Sequence, residues 1–135
     1  MRIPLAIANM DEMPPPSLIT DNPVIMVPMG WFGGHLIGLC TGVNPKLVAR
    51  AIAINSLAYC IVRFSCFKIG LEYYKSNRVY TLLSFLGCLT VHTLGIIVFR
   101  RLGIIGKLGT VVYGGVAIIV AVPHLCVLIN RYVTS

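Results

Sequence analysis

Residues 24–43 read VIMVPMGWFGGHLIGLCTGV, a run without a single charge. Gly30, Gly34, Gly38 and Gly42 recur in it at four-residue spacing. On a helix, residues four apart stack along one face, so this segment presents a side almost bare of side chains. In water each interior glycine costs ~1 kcal/mol relative to alanine. In lipid the same residues are useful, because they let a second backbone come close and packing contacts drive helix association there. The stretch therefore predicts a membrane helix whose glycine face is gripped by another helix. Other membrane subunits are the expected partners at that face.

Composition agrees with a membrane chain. Hydrophobic residues make up 57% of 135 and charged residues 11%, with a mean hydropathy of +0.87, well outside soluble usage. The length suits one small helical bundle. Eleven basic against four acidic residues give a net charge of +7. In a soluble protein that balance would suggest nucleic acid. Here the basic residues lie at the ends of apolar segments, between them or inside one, which is the pattern of loop and interface anchoring. No nucleic-acid partner is expected.

Working outward, residues 1–23 form an extended N-terminal tail, and 24–135 a helical membrane domain. The apolar patch in Met1–Ala8 is too short for a signal-peptide core, and Asp11, Glu12 and Asp21 are out of place in a mitochondrial presequence. Pro14, Pro15 and Pro16 favour a polyproline-like stretch. Asn44-Pro45 ends the first segment, since the residue before proline is pushed out of the α region. A second segment covers about 46–69, but Arg50 and Arg63 leave only AIAINSLAYCIV uncharged between them. It spans if both arginines snorkel to opposite faces; otherwise it lies flat in the interface. Residues 70–78 read as a polar connector with interfacial tyrosines Tyr73, Tyr74 and Tyr80.

Residues 79–99 carry no charge, enough to cross ~30 Å of hydrocarbon, and Arg100 and Arg101 stop them. A tight loop at 102–107 folds residues 108–130 back as an antiparallel hairpin, with a kink expected at Pro123. The expected fold is an all-α integral membrane bundle of four transmembrane helices, or three if 46–69 lies in the interface. Lys46, Arg50, Arg100, Arg101 and Lys107 fall on one side and Arg2, Lys68, Lys75, Arg78 and Arg131 on the other, so the basic count is even. All four acidic residues, however, fall on the second side. Both termini are therefore placed away from the compartment of synthesis or the matrix.

Catalytic equipment is sparse. His35, His92 and His124 raise the idea of haem, because membrane bundles use paired histidines as axial ligands. Counted from the tight loop, however, His92 and His124 differ in depth by roughly 13 Å at ~1.5 Å per residue. His35 sits among the glycines, where there is little room. Hydrogen-bonded structural roles are expected instead, with no cofactor or metal. The five cysteines show no metal or redox spacing and read as small apolar residues, with a Cys40–Cys126 or Cys66–Cys88 bridge as the alternative. No carboxylate lies within a span, so the chain does not read as an enzyme. Arg63 is the most pointed residue: it either snorkels or contacts an anionic phospholipid or a partner carboxylate, and Arg100 and Arg101 are grouped with it as lipid or partner contacts.

Two stretches carry a family resemblance. One is the glycine run Gly30 to Gly42. The other is Phe64-Ser65, then Glu72-Tyr73-Tyr74-Lys75-Ser76-Asn77-Arg78, then Gly87-Cys88-Leu89-Thr90. Together with four short segments and a basic loop, they make the chain resemble the mitochondrial inner-membrane translocase family. That family includes channel-type subunits of the presequence and carrier translocases and an accessory subunit of respiratory complex I. The connector lacks the family's usual aspartate after the basic pair, and no acidic residue is available for a protein-conducting groove. The resemblance thus implies a divergent or accessory member. It would be a non-catalytic subunit packed into a larger inner-membrane complex, with Lys46, Arg100, Arg101 and Lys107 in the matrix. Two other readings stand beside it. One is a pathogen or viral membrane protein that inserts the 79–130 hairpin into a host membrane. The other is a haem- or quinone-bearing anchor of a respiratory enzyme, resting on the histidines.

Overall fold

In the computed structural model, which describes residues 22–133, the chain is an all-α bundle. Helix α1 covers Pro23–Thr41, α2 Pro45–Phe67, α3 Asn77–Arg101 and α4 Lys107–Val133. The extended tail expected for residues 1–23, with its three prolines, lies almost wholly outside the described residues.

Local chemistry sets each boundary. Asn22 caps α1 by accepting from the Val24 amide at 3.0 Å, and Pro23 occupies the first turn, where its missing N–H costs nothing. Asn44 and Pro45 repeat that device at the start of α2. Between them Gly42 takes φ +73°, a left-handed conformation that glycine adopts without penalty, and its N–H closes on the Gly38 carbonyl. Ser76 caps α3 through the Val79 amide at 3.3 Å. Arg100 and Arg101 sit in the last turn of α3, where cations meet the negative end of the helix dipole.

The second segment is longer than its sequence suggests. After Phe67 the helix continues as a wider π-helical turn over Lys68–Tyr73. The polar connector expected at 70–78 therefore shrinks to a few residues. Two contacts hold the extension. Lys68 and Glu72 pair across one turn at 3.1 Å, and Gly70 lies directly on the Tyr80 backbone, leaving no room for a side chain. Lys75 then turns the chain with φ 50°, and the Ser76 amide closes on the Gly70 carbonyl at 3.0 Å.

Helix α2 is the centre of the bundle. It packs closely on α1, and α3 packs on both α2 and α4, whereas α1 and α4 meet only slightly. One apolar cluster lies near the two tight turns, joining Val48 and Ile52 to Phe99, Ile105 and Tyr113. A second lies toward the other end around Cys66, Tyr80 and Val127. The outside is as apolar as the inside: Phe32, Ile54, Ile61, Leu94, Val111, Ile118 and Ile119 are all exposed. All four helices are long and apolar enough to cross a membrane. Such a surface is a liability in water and is what hydrocarbon requires. The chain is an integral membrane protein, and α2 runs with the other helices instead of lying flat. Helix α4 continues through Pro123 without a break.

This arrangement places the turn after α2 and the turn after α3 on opposite sides of the bilayer. In a cysteine-free background, Tyr74→Cys and Leu102→Cys should react with a membrane-impermeant maleimide from opposite faces of sealed vesicles. Labelling of both from one face would refute the α3 span.

Candidate functional site

Three of the four ladder glycines serve one purpose. A Cβ on Gly34 would lie 2.8 Å from the Ala49 Cα, and one on Gly38 would lie 2.5 Å from the Pro45 Cα. A Cβ on Gly30 would instead meet the side chain of Ser56. The ladder therefore receives α2 of the same chain along positions 45, 49 and 56. Gly42 stands apart, since it caps the helix and has open space around it. With its glycine face filled, α1 offers a partner only its other side, where Met29, Phe32 and Leu39 are exposed.

An adjacent stripe of α2 carries Asn55, Tyr59 and Arg63, spaced by four residues and all buried. Each meets a polar side chain from another helix. The Asn55 amide donates to the Tyr113 hydroxyl oxygen on α4. The Tyr59 hydroxyl and His124 Nε2, also on α4, share a hydrogen bond of 2.9 Å. Arg63 donates from Nη1 to the Ser84 hydroxyl on α3 at 2.7 Å, and its guanidinium lies 5.3 Å from the centre of the Tyr80 ring.

Arg63 is 2% exposed. Its side chain is turned into the bundle instead of snorkelling out to the headgroups, as its position near the end of an apolar segment suggests it should. The reason is local: Ser84 and Tyr80 on α3 offer an acceptor and a ring face at its own depth, so the side chain turns inward. Arg100 and Arg101 do reach the surface and are exposed.

The histidines lie closer together than counting from the loop indicates. The His92 and His124 rings both pack against Tyr59, with centroids 5.5 and 6.3 Å from its own. Helical side chains lean toward the N-terminus. On antiparallel helices His92 therefore leans away from the tight loop and His124 toward it, so the rings converge on Tyr59. The His92 Nδ1–H donates to the Cys88 carbonyl at 2.8 Å. His124 Nδ1 is buried without a partner among the described residues. His35 makes none of these contacts. No disulfide joins the cysteines, of which Cys60, Cys66, Cys88 and Cys126 are buried.

Two cavities border this cluster, and His92 lines both. A groove of about 410 Å³ runs between α3 and α4 over Gly114, Ala117 and Ala121. A smaller cavity of about 200 Å³ lies under α1, with Asn55, Tyr59 and Tyr113 in its wall. The spacing of Asn55, Tyr59 and Arg63 was visible in the sequence as three polar residues on one helical stripe. Their partners on α3 and α4 carried no comparable pattern. No protein-family model, curated protein or solved structure matches the chain.

Proposed function

We propose that the chain is a non-catalytic multispanning subunit of a larger membrane complex. We place that complex in the mitochondrial inner membrane, where the chain is a translocase-like or respiratory accessory subunit. The observation that carries this reading is the contrast between the two sides of the bundle. Inside, the buried Asn55, Tyr59 and Arg63 of α2 each bond to a side chain of α3 or α4, and α1 is locked to α2 through glycine. Outside, α1 is the least buried of the four spans and presents Phe32, Leu36 and Leu39 as a broad apolar flank. A rigid bundle with one lightly embedded helix suits lateral assembly.

A second contact fits the same role. Lys46, Arg50, Arg100, Arg101 and Lys107 are all exposed around the two tight turns, which the cluster of Val48, Phe99 and Ile105 holds at one end of the bundle. Anionic phospholipid headgroups complement that end, at about 1 kcal/mol per cation near such a surface.

The test is recovery in mild detergent. A tagged copy should fractionate with mitochondrial inner membranes and migrate on native gels well above its 14.7 kDa monomer mass. Phe32→Ser should release it from that assembly without unfolding it. Migration as a monomer, or residence in another membrane, would overturn the proposal.

A further inference from the structure

The cavity under α1 has an apolar mouth and a polar floor. Met26, Met29, Val116 and Val120 line its sides. Its walls α1 and α4 meet only slightly, and a Cβ on Gly33 would find open space. The opening therefore lies between two membrane-spanning helices.

The floor has hydrogen-bonding capacity to spare. Asn55 is 9% and Tyr113 5% exposed, and their mutual hydrogen bond is their one side-chain bond among the described residues. With the Asn55 amide donating, its second N–H and the Tyr113 O–H have no acceptor. With the amide turned over, Tyr113 donates to the amide oxygen and both amide N–H groups are left. Either arrangement leaves two donors unspent at one place. One carbonyl oxygen, with two lone pairs, accepts both. Water alone is a poorer match, because the walls leading to the floor are apolar and water needs several polar partners.

We propose that this cavity binds the carbonyl head of a membrane-soluble molecule, whose apolar body leaves between α1 and α4. This goes beyond the assembly role and does not depend on which complex the chain joins. Two sources supply that chemistry: the ring of a quinone and the acyl ester of a lipid. Asn55 lies five residues beyond the exposed Arg50, or ~7.5 Å deeper. That depth favours the quinone, which enters hydrocarbon, over an ester held at the headgroup boundary.

Trp31, the single tryptophan, neighbours Gly30 on the cavity wall and reports occupancy. Decylubiquinone titrated into the detergent-purified full-length chain should quench its fluorescence to saturation. Gly33→Leu fills the mouth without touching the polar pair, and should raise the half-saturation concentration at least about tenfold with helical content unchanged. Tyr113→Phe removes the donor and should raise it about tenfold as well, the loss of one buried hydrogen bond. In a parallel arm, mass spectrometry of lipid retained through purification is compared between wild type and Gly33→Leu. Ester lipid held by wild type and lost from the variant, with no saturable quenching, assigns the carbonyl to lipid. Quenching that is linear and equal in all three proteins, with no lipid difference, overturns the proposal and leaves a cavity filled by water.

Discussion

Gly38→Leu should separate α1 from α2 and lower the stability of the bundle by ~3 kcal/mol, at the upper end for overpacking a close contact. The added Cβ alone would lie 2.5 Å from the Pro45 Cα and 3.1 Å from its nitrogen. Both are backbone atoms at the start of a helix, so no rotamer change relieves the collision. The two axes must part along the whole ladder, which also loosens Gly34 from Ala49 and Gly30 from Ser56. Gly34→Ala should show a smaller effect in the same direction, since its Cβ would lie 2.8 Å from the Ala49 Cα. Gly33→Leu, one residue away but facing open space, should melt with wild type. Denaturant titration in detergent micelles, followed by circular dichroism, compares the three. Equal midpoints for Gly38→Leu and wild type would show that the ladder does not hold the hairpin.

Arg63→Lys should cost ~2 kcal/mol, although both residues are cations. The guanidinium donates to Ser84 while lying against the Tyr80 ring. A lysine ammonium is a strongly hydrated point charge and cannot serve both contacts in one geometry. Charged hydrogen bonds of this kind contribute ~1.5–3 kcal/mol. Ser84→Ala should cost ~1 kcal/mol, and the double variant less than the sum of the two, because the residues share one bond. Arg100→Lys and Arg101→Lys, both exposed, should stay within ~0.5 kcal/mol of wild type. Wild-type stability for Arg63→Lys would mean that its charge alone matters.

Much of the fold was legible because lipid leaves few options. Uncharged runs of membrane length bounded by Asn-Pro, by basic pairs and by tight turns can hardly be anything but helices. The glycine ladder announced a close helix contact, and the small residues Pro45, Ala49 and Ser56 on the next helix offered the matching face. What the ladder does not carry is an address: bare backbone accepts any smooth partner, and here the nearest helix in the chain takes it. The continuation of α2 to Tyr73 was hidden by polar composition, although Lys68 and Glu72 are spaced as a helical ion pair. The direction of Arg63 was not legible, because snorkelling or turning inward depends on Ser84 and Tyr80, which only the tertiary fold brings near. The polar floor of the cavity depends likewise on Tyr113 arriving from α4.

Two of the three polar bonds from α2 have a consequence for how α4 is oriented. In hydrocarbon an apolar helix gains little by turning one apolar face inward over another, since lipid and leucine are nearly equivalent neighbours. Helix α4 has apolar residues almost all round, and its backbone does not closely approach that of α2. Asn55 and Tyr59 reach across this gap to Tyr113 and His124. Rotating α4 by one residue, ~100° about its axis, would strand both pairs in hydrocarbon at once. Those bonds therefore define the rotational register of a helix that apolar packing alone would leave free to spin.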